Sequence, residues 1–213
     1  MWSSEVTNMI ITGIWETLYM TLVSTLVGYV IGLPMGIILT VSDKDGIKPN
    51  AVLYKILDVI ANIVRSVPFI ILLVLLIPFT RLVVGKSYGS TATIVPLVIA
   101  AAPYIARMVE SSLKEVDAGV IEAARSMGAS NFTIITKVML VEARTSLLVG
   151  ATITLGTILG YSAMSGAVGG GGLGAIARWQ TDIMIVTVIL LIILFQIFQT
   201  VGMKLADKFD HRK

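Results

Sequence analysis

The sequence lacks cysteine altogether and has one histidine among its 213 residues. The absence of cysteine excludes disulfide bonds, thiolate catalysis and cysteine-ligated metal sites. Because the single histidine, His211, lies in the charged C-terminal tail, a histidine metal centre is not expected either. Only 14% of the residues are charged, and no basic stripe with interleaved aromatic residues occurs, so the sequence indicates no nucleic-acid partner.

Apolar residues, in contrast, make up 56% of the chain, and the mean hydropathy is +0.92. This is more apolar surface than a water-soluble fold of this length can bury, which places the chain in a lipid bilayer. A helix crosses a bilayer with about 20 apolar residues. The segments that approach this length cover residues 18–41, 56–79, 91–108, 147–168 and 183–203. The sequence therefore predicts an all-α integral membrane protein, a single domain over residues 1–213 with five transmembrane helices.

The distribution of lysine and arginine predicts the orientation of these helices. Both residues concentrate around Lys44, Lys48 and Lys55, in the loop 107–144 and in the tail 204–213, whereas the first seventeen residues contain neither. By the positive-inside rule the N-terminus lies outside and the C-terminus lies in the cytoplasm. The N-terminus also lacks the basic region and cleavage site of a removable signal peptide, so the first helix is expected to direct insertion.

The predicted cytoplasmic loop, residues 109–146, contains a short amphipathic helix that ends at a glycine. Its apolar stripe at helical spacing comprises Val116, Val120, Ala123 and Met127. Lys114, Glu122 and Arg125 are expected to point toward solvent or a partner. The small side chains of Ala123 and Ala124 let another protein approach closely, and Gly128 can adopt the left-handed conformation that ends a helix. These features predict a docking helix.

A polar stripe lies in the second apolar segment, just before Pro68. Asp58, Asn62 and Arg65 follow one another at i, i+4 and i+7, on one face of a helix. A lone ion in hydrocarbon costs roughly 2.5–3.5 kcal/mol, so the stripe should face protein, water or the cytoplasmic boundary, with Asp58 partly compensating Arg65. Two interpretations stay open: a gate or pathway element, or an interfacial helix whose charges reach the cytoplasm.

Glycines dominate the fourth apolar segment and the residues after it. The four-residue spacing of Gly156 and Gly160 allows close contact with another helix or a second subunit. The run 169–172 predicts the outer turn of this helix, since the lysine of a phosphate-binding loop is missing.

Without a nucleotide site, a transporter must draw its energy from an ion gradient or from a separate ATPase. Ion-coupled carriers keep ionisable groups near the membrane midplane. Here Glu16, Glu110 and Asp182 are predicted to lie at segment ends, so the sequence favours a separate ATPase.

The loop around Glu122 resembles the EAA loop of bacterial ABC importer permeases: Glu-Ala-Ala, three residues, Gly, nine residues, Ile-x-Leu-Pro. The matching positions are Glu122, Ala123, Ala124, Gly128 and Leu140. Val138 and Val141 stand where the pattern has Ile and Pro, and the second change removes a proline that starts the next helix. Longer runs, among them GIWETLYMT, IVPLVIAAAPYIARMVE and GYSAMSGAVGGGGLG, resemble the methionine ABC importer permeases over nearly the whole chain.

This resemblance implies a type I ABC importer in the bacterial cytoplasmic membrane. Its parts would be a homodimer of this chain, a dimer of cytoplasmic ABC ATPases that bind ATP with Mg²⁺, and an extracytoplasmic substrate-binding lipoprotein. The chain itself would hold no cofactor and would not be an enzyme. The expected cargo is L-methionine and D-methionine, moved by alternating access.

The resemblance also implies roles for particular residues. The residues expected to couple to the ATPase are Val120, Glu122, Ala123, Ala124, Met127 and Gly128. The candidates for the translocation path or its gate are Tyr161, Ser162, Met164 and Ser165, together with Asn62 and Arg65. No residue is expected to be catalytic.

Three other functions remain open on the sequence alone. The permease could serve another amino acid or small solute, because the binding protein sets much of the selectivity. A self-contained channel or ion-coupled carrier would require an acid near the midplane or a charged ring. A membrane assembly factor would fit the docking helix but would leave the proline and glycine breaks unexplained.

Overall fold

In the computed structural model, residues 4–177 and 181–210 are described, and within these ranges the chain forms only helices and their connections. Arg178 and the tail residues 211–213, of which the tail charges were used to predict the orientation, lie outside these ranges. Four helical segments there are long and apolar enough to cross a membrane. They are α1 (Ser4–Ser42), α5 (Ser90–Lys114), Arg144–Ile176, which starts with α9 (Arg144–Ser165), and α11 (Thr181–Lys208).

The segment predicted as one helix over 56–79 is divided among three helices. They are α2 (Ala51–Ser66), α3 (Phe69–Leu75) and α4 (Ile77–Val84), and α2 and α3 are bent by 102°. The break follows from Pro68, which disfavours the helical conformation of the residue before it. Val67 is accordingly extended, with φ −82° and ψ +124°. The described chain has five spans if α2 and α3 together cross the membrane once, and four otherwise.

Helices α1 and α5 pack closely because glycines in α1 face the backbone of α5. A Cβ atom on Gly32 would lie 2.6 Å from the carbonyl oxygen of Ala102, and one on Gly36 would lie 2.6 Å from that of Ala106. Only glycine permits such an approach. Of the most apolar stretch of α5, 56% is buried, against 11% for α11, so α5 forms the centre of the subunit and α11 lies at its periphery.

The glycine-rich turn after α9 folds back against α1 and α5. The 3₁₀ turn Gly166–Val168 leads into the short helix α10 (Gly172–Ile176). The carboxylate of Glu16 accepts a hydrogen bond from the Gly172 backbone nitrogen at 2.6 Å, and the Gly89 nitrogen donates to the Gly169 carbonyl at 2.8 Å. Glu16 lies within α1, which begins at Ser4 and so extends beyond the predicted segment 18–41, and the turn after α9 meets it at that end.

The two glycines predicted to form a close contact differ in their surroundings. A Cβ atom on Gly156 would meet the ring of Phe195 in α11, at 3.2 Å from Cδ2. One on Gly160 would have no heavy atom within 4 Å, and Gly160 is exposed in the single subunit. Gly156 thus serves the α9–α11 contact, and Gly160 leaves an open patch on the surface of α9.

Candidate functional site

The predicted docking helix is α6 (Ala118–Ser126), and both of its ends are defined by the sequence. Asp117 caps the N-terminus by accepting a hydrogen bond from the Gly119 nitrogen at 2.7 Å. At the other end Gly128 has a φ of +82°, and the Ala129 nitrogen donates to the Ala124 carbonyl at 3.1 Å. A left-handed glycine followed by such a bond is a common way for a helix to end.

The structure corrects the face that α6 turns toward the rest of the chain. Val120 is 42% exposed and Met127 is 82% exposed, so much of the predicted apolar stripe points away from the subunit. Ala124 is instead only 6% exposed and packs in the same buried cluster as Ile134 and Met139. The exposed side of α6 is therefore an apolar surface without a partner in the single chain.

Arg125 also differs from its prediction, because it turns back toward the subunit. Its Nη2 donates to the Ile47 carbonyl at 3.1 Å, in the loop that joins α1 and α2. That loop is itself folded onto the end of α1, since the Lys48 nitrogen donates to the Val41 carbonyl at 3.0 Å. A cavity of about 500 Å³ lies between this loop and α6, and Asp43, Lys114 and Arg125 line it.

An ion network connects the end of α1 and the middle of α2 to the last turns of α5. Arg107 pairs with Asp58 and, at 2.7 Å, with Glu110. Lys114 also pairs with Glu110, at 2.8 Å, and with Asp43 at 2.6 Å. The side chain of Glu110 is only 6% exposed. The hydrogen bond from Lys114 holds the pKa of the Asp43 carboxyl below its ordinary value. We call these five residues the inner ion network.

The inner ion network corrects one prediction, because Asp58 pairs with Arg107 and not with Arg65. Glu110 lies one turn from the end of α5, where it is buried between two cations. Asn62 joins the network, because its side-chain oxygen accepts from Arg107 at 3.0 Å. One sequence signal could have predicted the inner ion network: Arg107, Glu110 and Lys114 follow at i, i+3 and i+7, which places them on one face of α5.

Arg65 lies on the same helix but faces a different surface. Its guanidinium carbon is 5.9 Å from the ring centre of Tyr104, and the rings of Phe69 and Tyr161 stack with centres 4.5 Å apart and planes inclined by 2°. A cavity of about 160 Å³ lies among them. The residues that line it are Val64, Arg65, Val67, Phe69, Leu72, Ala100, Tyr104 and Tyr161. We call this cavity the Arg65 cavity.

The other path candidates are not brought to the Arg65 cavity. Ser162 and Ser165 are buried, and their hydroxyl groups donate to the carbonyls of Leu159 at 2.8 Å and Ser162 at 2.6 Å. Met164 is 46% exposed, elsewhere on α9. Of the six path candidates, Arg65 and Tyr161 line the Arg65 cavity. In the part of the chain that the structure describes, no three His, Asp or Glu side chains are grouped to hold a metal ion.

Comparison with known proteins gives consistent matches. The family described as "Binding-protein-dependent transport system inner membrane component" matches residues 32–213. A Vibrio cholerae protein named "Probable D-methionine transport system permease protein MetI" is 47% identical over 217 residues, covering 99% of this chain and 96% of the relative. The Escherichia coli K12 D-methionine transport system permease protein MetI is 50% identical over 158 residues, 74% of this chain and 73% of the relative.

Solved structures agree with these sequence matches. A chain of the MetNI methionine ABC transporter in an inward-facing conformation has a TM-score of 0.97 and 48% identity, covering 99% of this chain and all of that one. A chain from an amino acid ABC transporter crystallised with histidines has a TM-score of 0.73 at 22% identity, covering 98% of this chain and 96% of that one, which shows the shared fold alone.

Proposed function

The chain belongs to the family of binding-protein-dependent transport system inner membrane components, and we propose that it is the membrane-spanning permease subunit of an ATP-driven methionine importer. The observation that carries this proposal is the 48% identity, over 99% of the chain, to a chain of the MetNI methionine ABC transporter. The protein is a multi-pass component of the bacterial inner membrane and a transport subunit, not an enzyme.

The proposed orientation places the N-terminus outside and the C-terminus in the cytoplasm. The ends of α1 and α5 meet in the pair between Asp43 and Lys114, so both lie on one side. Glu16 and Gly89 both bond to the turn 169–172, so the start of α5 lies on the other side. Helices α2 to α4 must then cross from one side to the other, which supports five spans and a cytoplasmic α6.

We further propose that α6 docks on the ATPase of the complex. The exposed Val120 and Met127 would enter a groove on the partner, with Glu122, Ala123 and Gly128 beside them. Ala124 and Arg125 would hold α6 to the permease from its inner side. A helix attached in this way moves as a rigid body with the ATPase and transmits that displacement to the bundle.

The complete machine would contain two copies of this chain, two ATPase chains that bind ATP with Mg²⁺, and an extracytoplasmic lipoprotein that delivers L- or D-methionine. Binding of ATP would close the ATPase dimer and switch the path between two subunits from inward-facing to outward-facing. The exposed Gly160 supports a contact between the subunits, because small residues let helices approach closely.

Reconstitution of the purified complex in liposomes tests this function. We expect uptake of radiolabelled methionine that requires both ATP and the loaded binding protein, and no uptake by this chain alone. Uptake of a different amino acid, with none of methionine, would redirect the proposal to another cargo. Flux through liposomes that contain only this chain, without ATP, would contradict an importer and favour a self-contained carrier.

A further inference from the structure

We propose that Arg65, Tyr104, Phe69 and Tyr161 form an intramembrane subsite that binds the carboxylate of the transported amino acid through Arg65 and its apolar side chain through the aromatic rings. The inference rests on the proposed function, since it states where an amino acid would bind on its way through the permease. It assigns a ligand chemistry to the Arg65 cavity.

The depth of the cavity is the first argument. Tyr104 precedes Lys114, the last residue of α5, by ten positions, and follows Ser90, the first, by fourteen. At 1.5 Å per residue, Tyr104 lies about 15 Å from one end of the helix and about 21 Å from the other. The guanidinium of Arg65 faces the Tyr104 ring, one turn of α5 farther into the span than Arg107, and Arg65 is exposed in the single subunit.

The charge of Arg65 is the second argument. Among residues 4–177 and 181–210 it has no ion pair, since Asp58 pairs with Arg107, and its guanidinium faces the Tyr104 ring. An arginine at this depth without a counter-ion is costly, and such residues mark substrate or ion pathways. A guanidinium binds a carboxylate with two parallel hydrogen bonds, a geometry that a lysine cannot reproduce.

The remaining walls of the cavity fit the other end of an amino acid. The stacked pair of Phe69 and Tyr161 presents an apolar surface at the cavity, and thioether sulfur makes favourable contacts with aromatic rings. The volume of about 160 Å³ admits one small solute and excludes a peptide.

The position of the cavity relative to the helix break is the third argument. Arg65 lies before Pro68 and Phe69 lies directly after it, where α2 and α3 are bent by 102°. Any change in the angle between these helices separates the cation from the aromatic pair. The subsite would therefore be complete in one conformation of the permease and incomplete in the other, as a transient binding site requires.

The experiment compares Arg65→Gln and Arg65→Lys with wild type in reconstituted complexes that contain the ATPase and the loaded binding protein. Methionine uptake and ATP hydrolysis are measured together. We expect Arg65→Gln to lower the ratio of methionine moved to ATP hydrolysed at least tenfold, with hydrolysis within twofold of wild type, and Arg65→Lys to recover part of it. The matched control is Lys55→Gln, which removes the same charge from an exposed position on α2.

A chemical rescue exploits the absence of cysteine from this chain. In an Arg65→Cys complex, a methanethiosulfonate reagent that carries an ammonium group should restore uptake severalfold, whereas one that carries a sulfonate should not. Methionine should slow both labelling reactions. The same reagents applied to Lys55→Cys and to the wild-type complex control for reaction elsewhere.

The outcomes separate the subsite from the proposed function. If wild type takes up methionine and Arg65→Gln keeps its transport ratio within twofold, the subsite is wrong and the importer stands. If uptake and hydrolysis fall in parallel, Arg65 has a structural or lipid-anchoring role, and the subsite is again wrong. If wild type takes up no methionine, the importer proposal fails and the subsite fails with it.

Discussion

Neutralising Glu110 tests whether the inner ion network stabilises the permease. Its carboxylate is 6% exposed and contacts two cations, Arg107 at 2.7 Å and Lys114 at 2.8 Å, and the Tyr54 hydroxyl donates to it at 3.2 Å. In Glu110→Gln the side chain keeps its shape and one acceptor, but its amide group meets a cation. The positive charges of Arg107 and Lys114 then repel each other without the negative charge of Glu110 between them.

The magnitude follows from the burial of the partners. Removing one member of a buried ion pair costs about 3–5 kcal/mol. Lys114 is 43% exposed, so solvent screens its interaction with Glu110. Arg107 retains its ion pair with Asp58 in the variant. Together these two effects reduce the expected loss of stability to about 2–3 kcal/mol. For a chain of this size that corresponds to a fall of roughly 4–12 °C in the denaturation temperature.

The assay is thermal denaturation of the detergent-solubilised complex, followed by the loss of its size-exclusion peak. Glu115→Gln is the matched control, because Glu115 is exposed and ends the same helix, and it should denature within about 1 °C of wild type, since exposed charges contribute little. A Glu110→Gln complex that denatures within the same margin would refute the stabilising role of the network.

Three further predictions follow from the site and the packing. Ala123→Trp should abolish copurification of the ATPase while leaving the permease folded, whereas Ala124→Trp should reduce the yield of folded permease, because Ala124 is buried against its own chain at 6% exposure. Gly36→Val should prevent folding, since a Cβ atom there would lie 2.6 Å from the Ala106 carbonyl oxygen, and expression with detergent extraction measures this. Asp43→Asn should lower the denaturation temperature near neutral pH but not at low pH. The hydrogen bond from Lys114 lowers the pKa of Asp43, so its stabilisation is complete above the ordinary value of 3.8 and is lost as the pH falls through the lowered pKa.

Each of these three predictions has an outcome that contradicts it. Retention of the ATPase by Ala123→Trp would mean that α6 docks through another face. For the glycine, Gly160→Val is the control for the yield of folded subunit, because a Cβ atom there meets nothing within 4 Å of its own subunit, and it should affect only the proposed contact between subunits. Equal yields of Gly36→Val and Gly160→Val would contradict the claim that the close contact of α1 with α5 requires glycine at position 36. A difference between Asp43→Asn and wild type that persists unchanged at low pH would show that the carboxylate charge is not the cause.

The sequence predicted the class of the fold because apolar segments of spanning length have few alternatives in a bilayer. It also predicted the end of α6, since glycine adopts a left-handed conformation without strain and Gly128 has a φ of +82°. Periodicity indicated an apolar stripe on α6 but not which stripe the subunit covers. Val120 and Met127 are exposed, on the side of α6 that we propose docks on the ATPase.

The errors at charged positions have a common physical cause. Local spacing suggested that Asp58 compensates Arg65, a neighbour on its own helix, but the closest cation is Arg107 on α5. The bond between Glu16 and the Gly172 nitrogen was likewise not predicted, because the two residues are 156 positions apart in the sequence. An ionisable side chain in a membrane protein pairs with whichever group the packing brings near, and that choice depends on the tertiary fold.

The contacts of α1 and α5 indicate which parts of the permease move together. Glu16 holds α1 to the outer turn, the glycines Gly32 and Gly36 hold its middle against α5, and Asp43 holds its inner end to Lys114. A displacement of α6 that reaches the end of α5 must therefore carry α1 and the outer turn with it. At the break at Pro68, the inner ion network fixes α2 on one side, and on the other side apolar packing, including the stack of Phe69 on Tyr161, holds α3. Since Pro68 interrupts the backbone hydrogen bonding there, we expect bending during transport to concentrate between α2 and α3, where a change of angle would alter the surroundings of a solute in the proposed Arg65 subsite.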